Sequence, residues 1–309
     1  AYESRWQYEH LAGSLPQHTQ PRWTGQDLKD KTILVVGEQG HGDNIQFVRF
    51  MLNLHAAGAR ILFQTTEGLI PLLGNTNIIS WTGRYTDAPP DFDYWTPIMS
   101  IPGVLGITLE NLPQNINYLV ANAELAHNWS ELLGPKKKLR VGFCWSGRRD
   151  SWINQHKSMP FETMLDLIKQ NPKYEWINLQ IDCTEEETKI LESIGVKCCS
   201  NLLRNFNDTA ALMSNLDVVL AVDTAIAHLA GALGTVMKLQ GVSYKLKESD
   251  VTEIGFIAEQ VAEVLPEVVT YKDGEVDSLS YSRLTALLVE AVKEQQRQIN
   301  ELRTLLNNR

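Results

Sequence analysis

The stretch Asp217–Gly234, DVVLAVDTAIAHLAGALG, constrains this chain more than any other. Its apolar run Val218–Val222 has the length and β-branched content of a strand buried on both faces, the kind found in parallel sheets. The run stops at Asp223–Thr224, and Ala225–Leu233 continues as a helix of small and apolar residues. A strand feeding directly into such a helix belongs to an open α/β sheet, whose ligands sit at the carboxyl ends of the strands. There the first amides of the helix can hold an anion, and small side chains let a bulky ligand approach the backbone. A second reading makes Asp223 an N-cap and the whole stretch a packing unit. The residues by themselves leave both open.

The same transition occurs upstream. Lys31–Val36 (KTILVV) reads as a parallel strand that runs into GEQGHGDNIQF, a glycine-rich turn, and then an amphipathic helix. Gly37, Gly40 and Gly42 would permit positive φ and close backbone approach, and Asp43 stands where it could cap the helix. The turn has no GKS or GKT and is not a strict GxGxxG, so it is no phosphate-binding P-loop. Arg60–Thr65 and Ile78–Trp81 read as further strands; Phe92–Leu119, with Pro97 and Pro102, reads as an ordered loop.

After a short helix (Glu124–Leu133) and a polar linker (GPKKK, Gly134–Lys138), Leu139–Trp145 restarts the pattern. The loop that follows carries Arg148, Arg149, His156 and Lys157, cations suited to a nucleotide diphosphate. Trp176–Gln180 and Gly195–Cys199 read as the next strands, and Asp208–Thr209 as a cap before the helix that leads to Asp217. The fold class expected is α/β, with two Rossmann-like domains. A lead-in spans residues 1–30, the first domain 31–133 and the second 139–235, with a small α+β segment over 236–309 that ends in a coiled-coil helix, 281–309.

A net charge of −9 argues against a general nucleic-acid or anionic-membrane binder. No apolar run reaches the roughly 20 residues that span a bilayer, and the polar start AYESRWQYEH is no signal peptide. Cys144, Cys183, Cys198 and Cys199 show no CxxC spacing, so free thiols in a reducing, cytoplasmic setting are expected, and no metal site.

VDTAIAHLAGALG and EQGHGDNIQF resemble the donor-site and first-loop motifs of heptosyltransferase-like glycosyltransferases, especially the form that follows tetratricopeptide repeats. The resemblance implies a GT-B architecture and transfer of a sugar from a nucleotide-diphosphate sugar to an acceptor hydroxyl. That transfer would invert the anomeric centre and use no metal; no cofactor is implied beyond the donor as co-substrate. It makes Asp43 the base for the acceptor, with a helix cap as the plain alternative. It places Lys157, Ser158, Asp223, Thr224 and His228 around the diphosphate, and Gln180 and Asp208 near the nucleoside. Lys157-Ser158 stands where the family has Arg-Ser, which keeps the charge and loses the bidentate fork. Beyond Gly234 the family's closing strand and helix are missing; VMKLQGV (Val236–Val242) is a candidate replacement for the strand.

The remaining residues resemble the C-terminal intramolecular chaperone of phage tail spikes, the endosialidase type, through GFIAEQV (Gly255–Val261), LPEVV (Leu265–Val269) and VDSLSYSRLTALLVEAVKE. In the last helix Leu288, Val292, Gln295, Ile299, Leu302 and Leu306 alternate steps of four and three, a coiled-coil seam. The heptads alone do not choose between two and three chains; the resemblance implies a homotrimer. The serine segment at which such chaperones cleave themselves is absent, and Ser243 and Lys245 do not match it, so self-cleavage is not expected. Two functions stand side by side: a sugar transferase, or a non-enzymatic, phage-associated trimeric assembly protein with a transferase-like scaffold. The second would be virion-associated.

Overall fold

Short β-branched and apolar runs supply two parallel sheets with the same strand order. In the first, β1 (Thr32–Val36) lies between β2 (Arg60–Thr65) and β4 (Tyr94–Pro97), with β3 (Ile79–Arg84) outside β2. In the second, β5 (Arg140–Cys144) lies between β6 (Glu175–Asn178) and β8 (Val218–Ala221), with β7 (Lys197–Cys198) outside β6. Every pairing in these two sheets is parallel. The computed structural model describes residues 2–7, 18–38, 40–108, 111–113, 117–149 and 158–234, and the strands 241–245, 252–256, 269–272 and 275–279.

Alternation along each central strand loads both faces of its sheet. Ile33 and Val35 join the main core, while Leu34 and Val36 pack with Leu62 and Trp95 on the other side. Val141 and Phe143 likewise face a core of Trp145, Met164, Ile168 and Trp176. The main core runs on from Ile61 and Phe63 to Ile177, Ala210 and Leu229, so one apolar layer is shared by both sheets.

Tyr94–Pro97 corrects the expectation of a loop. It pairs with β1 from Ile33↔Tyr94 to Val36↔Pro97, and the Asp93 carboxylate accepts the Thr32 amide at 2.8 Å. Pro97 is tolerated because it ends the strand, where its missing N–H interrupts no ladder. The outer side of β4 is covered by the lead-in: Arg22 bridges Trp95, and the Trp23 amide donates to the Trp95 carbonyl at 2.8 Å.

The amphipathic helix expected after the glycine turn is broken into α1 (His41–Phe47), a 3-10 turn (Val48–Phe50) and α2 (Met51–Ala56). Short helices α3 (Ile70–Leu73) and α4 (Ile101–Val104) follow, then α5 (Ala123–Leu133). The second sheet carries α6 (Phe161–Gln170), α7 (Glu185–Ser193), α8 (Phe206–Met213) and α9 (Ala225–Leu233). Gly234 ends α9 in the left-handed region at φ 69°, a conformation that glycine adopts without steric cost.

Ala1–Val236 and Met237–Arg309 are separate compact units. In the second, β9 (Gly241–Lys245) pairs antiparallel with β10 (Thr252–Phe256), and β11 (Val269–Lys272) with β12 (Glu275–Leu279). Gly241 and Val242, the end of the candidate replacement strand, therefore pair with Phe256 and Gly255. Among the described residues β8 has no neighbour on its outer side, and its Leu220 is exposed. The coiled-coil seam Leu288, Val292, Gln295, Ile299, Leu302 and Leu306 lies outside the described residues. Among those described, no helix is long and apolar enough to cross a membrane.

Candidate functional site

β1 delivers the chain to the glycine turn at the carboxyl end of its sheet. None of Gly37, Gly40 and Gly42 has positive φ, so that expectation is corrected: here glycine serves close approach instead. A Cβ on Gly37 would lie 2.5 Å from Asn44 Oδ1 and 2.7 Å from the Tyr85 hydroxyl. Gly40 precedes α1 in extended conformation, and its amide donates to Asp43 Oδ2 at 3.0 Å. Asp43 is half-buried and in this respect acts as the helix cap that its position allowed.

The turn is held by residues that composition and spacing did not mark. Asn44 is fully buried; its Oδ1 accepts the Glu38 amide at 3.2 Å, and its Nδ2 donates to the carbonyls of Glu38 (3.1 Å) and Gly40 (3.0 Å). The buried Glu38 carboxylate takes a two-point contact from Arg5, Nε to Oε2 at 2.8 Å and Nη2 to Oε1 at 2.9 Å. It also accepts the Met99 amide at 3.0 Å. Burial alone would lower the Arg5 pKa, but its hydrogen bonds to Glu38 and the Glu38 charge outweigh it and raise the value. Arg5, one of two arginines in a polar lead-in, gives no sequence signal for a partner 33 residues away.

On the other half, β8 ends at Ala221 and α9 begins after Thr224 with no side-chain cap, which leaves its first amides available to an anion. Asp223 is exposed, and its Oδ1 lies 3.8 Å from His228 Nε2, one turn into the helix.

The glycine turn and the start of α9 meet. A Cβ on Gly42 would lie 2.7 Å from His228 Cδ2 and 3.5 Å from the Ala225 Cα. Beside this contact His41 packs on Phe206 of α8, with ring centroids 5.0 Å apart, and Asn75 Nδ2 donates to Asn207 Oδ1 at 3.0 Å. Burial, and next the charge of Arg148, lower the His41 pKa below its ordinary 6.5. The structure thus sets Gly42, the neighbour of Asp43, against His228 and Ala225 at the start of α9, with Asp223 beside His228.

Gln180, Ser158 and Asp208 are drawn into local bonding. Gln180 Oε1 accepts the Ser146 amide at 3.0 Å and the Cys144 thiol at 3.1 Å, while its Nε2 donates to Asp182, so it ties the ends of β5 and β6 together. The hydroxyls of Ser158 and Ser146 are 2.9 Å apart. The cap of α8 is Asn205, which accepts the amides of Asn207 and Asp208; Asp208 itself accepts the Arg204 amide at 3.0 Å. Arg149 is bound to Glu187 at 2.8 and 3.0 Å. Lys157 and His156 lie outside the described residues. All four cysteines are free, and burial pushes the Cys144 thiol up to about 11. Among the described residues no group of three or more His, Cys, Asp or Glu is placed to hold a metal ion.

The model of the family described as chaperone of endosialidase matches residues 224–270. Protein FlbA of Caulobacter vibrioides is 29% identical over 272 residues, 79% of this chain; the chain spans 45% of that relative's length. Two solved structures share the fold. The ADP-heptose LPS heptosyltransferase II of E. coli has a TM-score of 0.50 and 15% identity, over 65% of this chain and 82% of its own. The family 9 glycosyl transferase of Veillonella parvula has a TM-score of 0.52 and 14% identity, over 69% and 80%. The chain thus joins a unit with a heptosyltransferase-like fold to a segment matched, over residues 224–270, by the chaperone-of-endosialidase model.

Proposed function

We propose that the unit Ala1–Val236 transfers a sugar from a nucleotide-diphosphate sugar to an acceptor hydroxyl, with inversion and without a metal ion. The observation that carries this reading is the contact of Gly42 with His228, which sets the acceptor-side turn against the donor-side helix start. Asp43, the next residue, takes the proton from the acceptor hydroxyl. The freed oxygen attacks the anomeric carbon as the bond to the diphosphate breaks. The negative charge left on the departing phosphate is met by the amino end of α9, by His228 and by Lys157. Asp223 and Thr224 form the start of this helix at the diphosphate, with Asp223 Oδ1 3.8 Å from His228 Nε2. Ser158 serves the phosphate end. Gln180 acts through the β5 and β6 ends it ties together, and Asp208 through the start of α8.

The test is calorimetric titration with ADP- and UDP-sugars, with Asp223→Ala alongside. Saturable binding lost in the variant supports the donor site. A folded protein that binds neither sugar nucleotide refutes it.

The exposed Leu220 on β8 and the chaperone-family match over residues 224–270 favour a second reading. In that reading the chain is a phage-associated assembly protein, trimeric through its C-terminal helix, with the transferase-like unit as a scaffold. Light scattering on the full chain tests it: a monomer removes it.

A further inference from the structure

We propose that Arg5, in the lead-in outside both sheets, is a positioning residue that sets the glycine turn and, through it, Asp43. Its guanidinium is 5% exposed and forks onto Glu38, which itself is 9% exposed. Glu38 follows Gly37 at the start of the turn and is gripped at two levels. Its carboxylate is held by Arg5 and the Met99 amide, and its backbone N–H and C=O are both held by the side chain of Asn44, the neighbour of Asp43. Arg5 Nη2 also donates to Ser100 Oγ at 2.8 Å, and Arg22 Nη2 donates to the same hydroxyl at 2.9 Å, which fixes the lead-in to the segment after β4. A planar fork holds a carboxylate in distance and in angle, which a point charge does not. A buried carboxylate that loses its guanidinium partner moves toward water. That change releases Glu38 and with it the path of residues 37–44.

The inference rests on Asp43 as the acceptor base for its kinetic arm only. The variants Arg5→Met, Arg5→Lys and the double variant Arg5→Met/Glu38→Met are made in the full chain; the double variant replaces the ion pair with apolar groups and guards against loss of folding. Amide hydrogen exchange is followed over residues 37–47 and, as a reference, over β5 and β6. In Arg5→Met the turn is expected to exchange about tenfold faster while the reference strands keep their protection. Turnover should fall roughly 10- to 100-fold with donor affinity unchanged, as expected for a misplaced reacting group. Arg5→Lys should recover part of it, and the double variant should regain the melting temperature without the turnover. Unchanged exchange over the turn in Arg5→Met overturns the proposal, as does a double variant that regains turnover along with stability. If the parent chain binds no sugar nucleotide, the site reading is what fails, and the exchange of residues 37–47 alone decides the role of Arg5.

Discussion

Gly42 and His228 occupy neighbouring space across the two halves of the chain: a methyl group on Gly42 would sit 2.7 Å from the His228 ring. The glycine is therefore set by a partner 186 positions away in the chain, and not by its own backbone angles. Gly42→Ala should cost about 1–3 kcal/mol, the range for overpacking at a tight contact. His228→Ala in the same background should return most of that loss. A double-mutant cycle from urea unfolding measures the coupling, and strict additivity would mean that the two side chains do not meet.

Asp43→Asn is expected to lower turnover about 10²- to 10⁴-fold, the range for removal of a positioned base, and to leave donor affinity unchanged. Asp223→Ala should do the reverse, weakening the donor about tenfold or more while the acceptor side is intact. Steady-state kinetics with both substrates varied separates the two; equal effects on both constants from either variant would count against the division of labour.

Asn44→Ala removes three hydrogen bonds from the turn, two of them buried. Stability should fall by roughly 2–4 kcal/mol, because the buried N–H and C=O of Glu38 lose their partner. The measurement is the urea midpoint, and a shift no larger than that of a surface substitution would show that water takes over these bonds.

The folded chain resists protonating His41, whose pKa lies below its ordinary 6.5 through burial and then through Arg148. The unfolded chain takes that proton near pH 6.5, so stability is retained above this pH and declines below it. His41→Phe keeps a ring against Phe206 and removes the titration. The parent should lose stability relative to this variant between pH 7 and 5, and match its pH response above pH 7.5; parallel midpoints throughout would place the titration elsewhere.

The 309-residue chain should scatter light at three times its own mass, and Ile299→Lys with Leu302→Lys should reduce it to monomer, since charge at two adjacent seam positions opposes helix association. A parent that stays monomeric at micromolar concentration would show that the seam does not assemble chains.

Local pattern was enough to read much of this fold. The apolar runs at Thr32–Val36, Arg60–Thr65 and Arg140–Cys144 are parallel strands because short, β-branched sequences can be buried on both faces. Val218–Ala221 is a parallel strand too, but it lies at the edge of its sheet, half-buried and with Leu220 exposed, where burial on both faces was expected. Tyr94–Pro97 was hidden because Pro97 and the nearby Pro102 argue for a loop, whereas its place at the sheet edge beside the lead-in makes it a strand.

The sequence by itself determined an α/β chain with glycine and small-residue turns after its strands, because strand and helix periodicity and turn chemistry act over a few residues. Only the tertiary structure decided which of those turns meet, that Gly42 faces His228, and that Arg5 reaches Glu38. Such pairings join residues far apart in the chain, and they depend on the packing of two sheets around a shared apolar layer, for which no local pattern carries a signal.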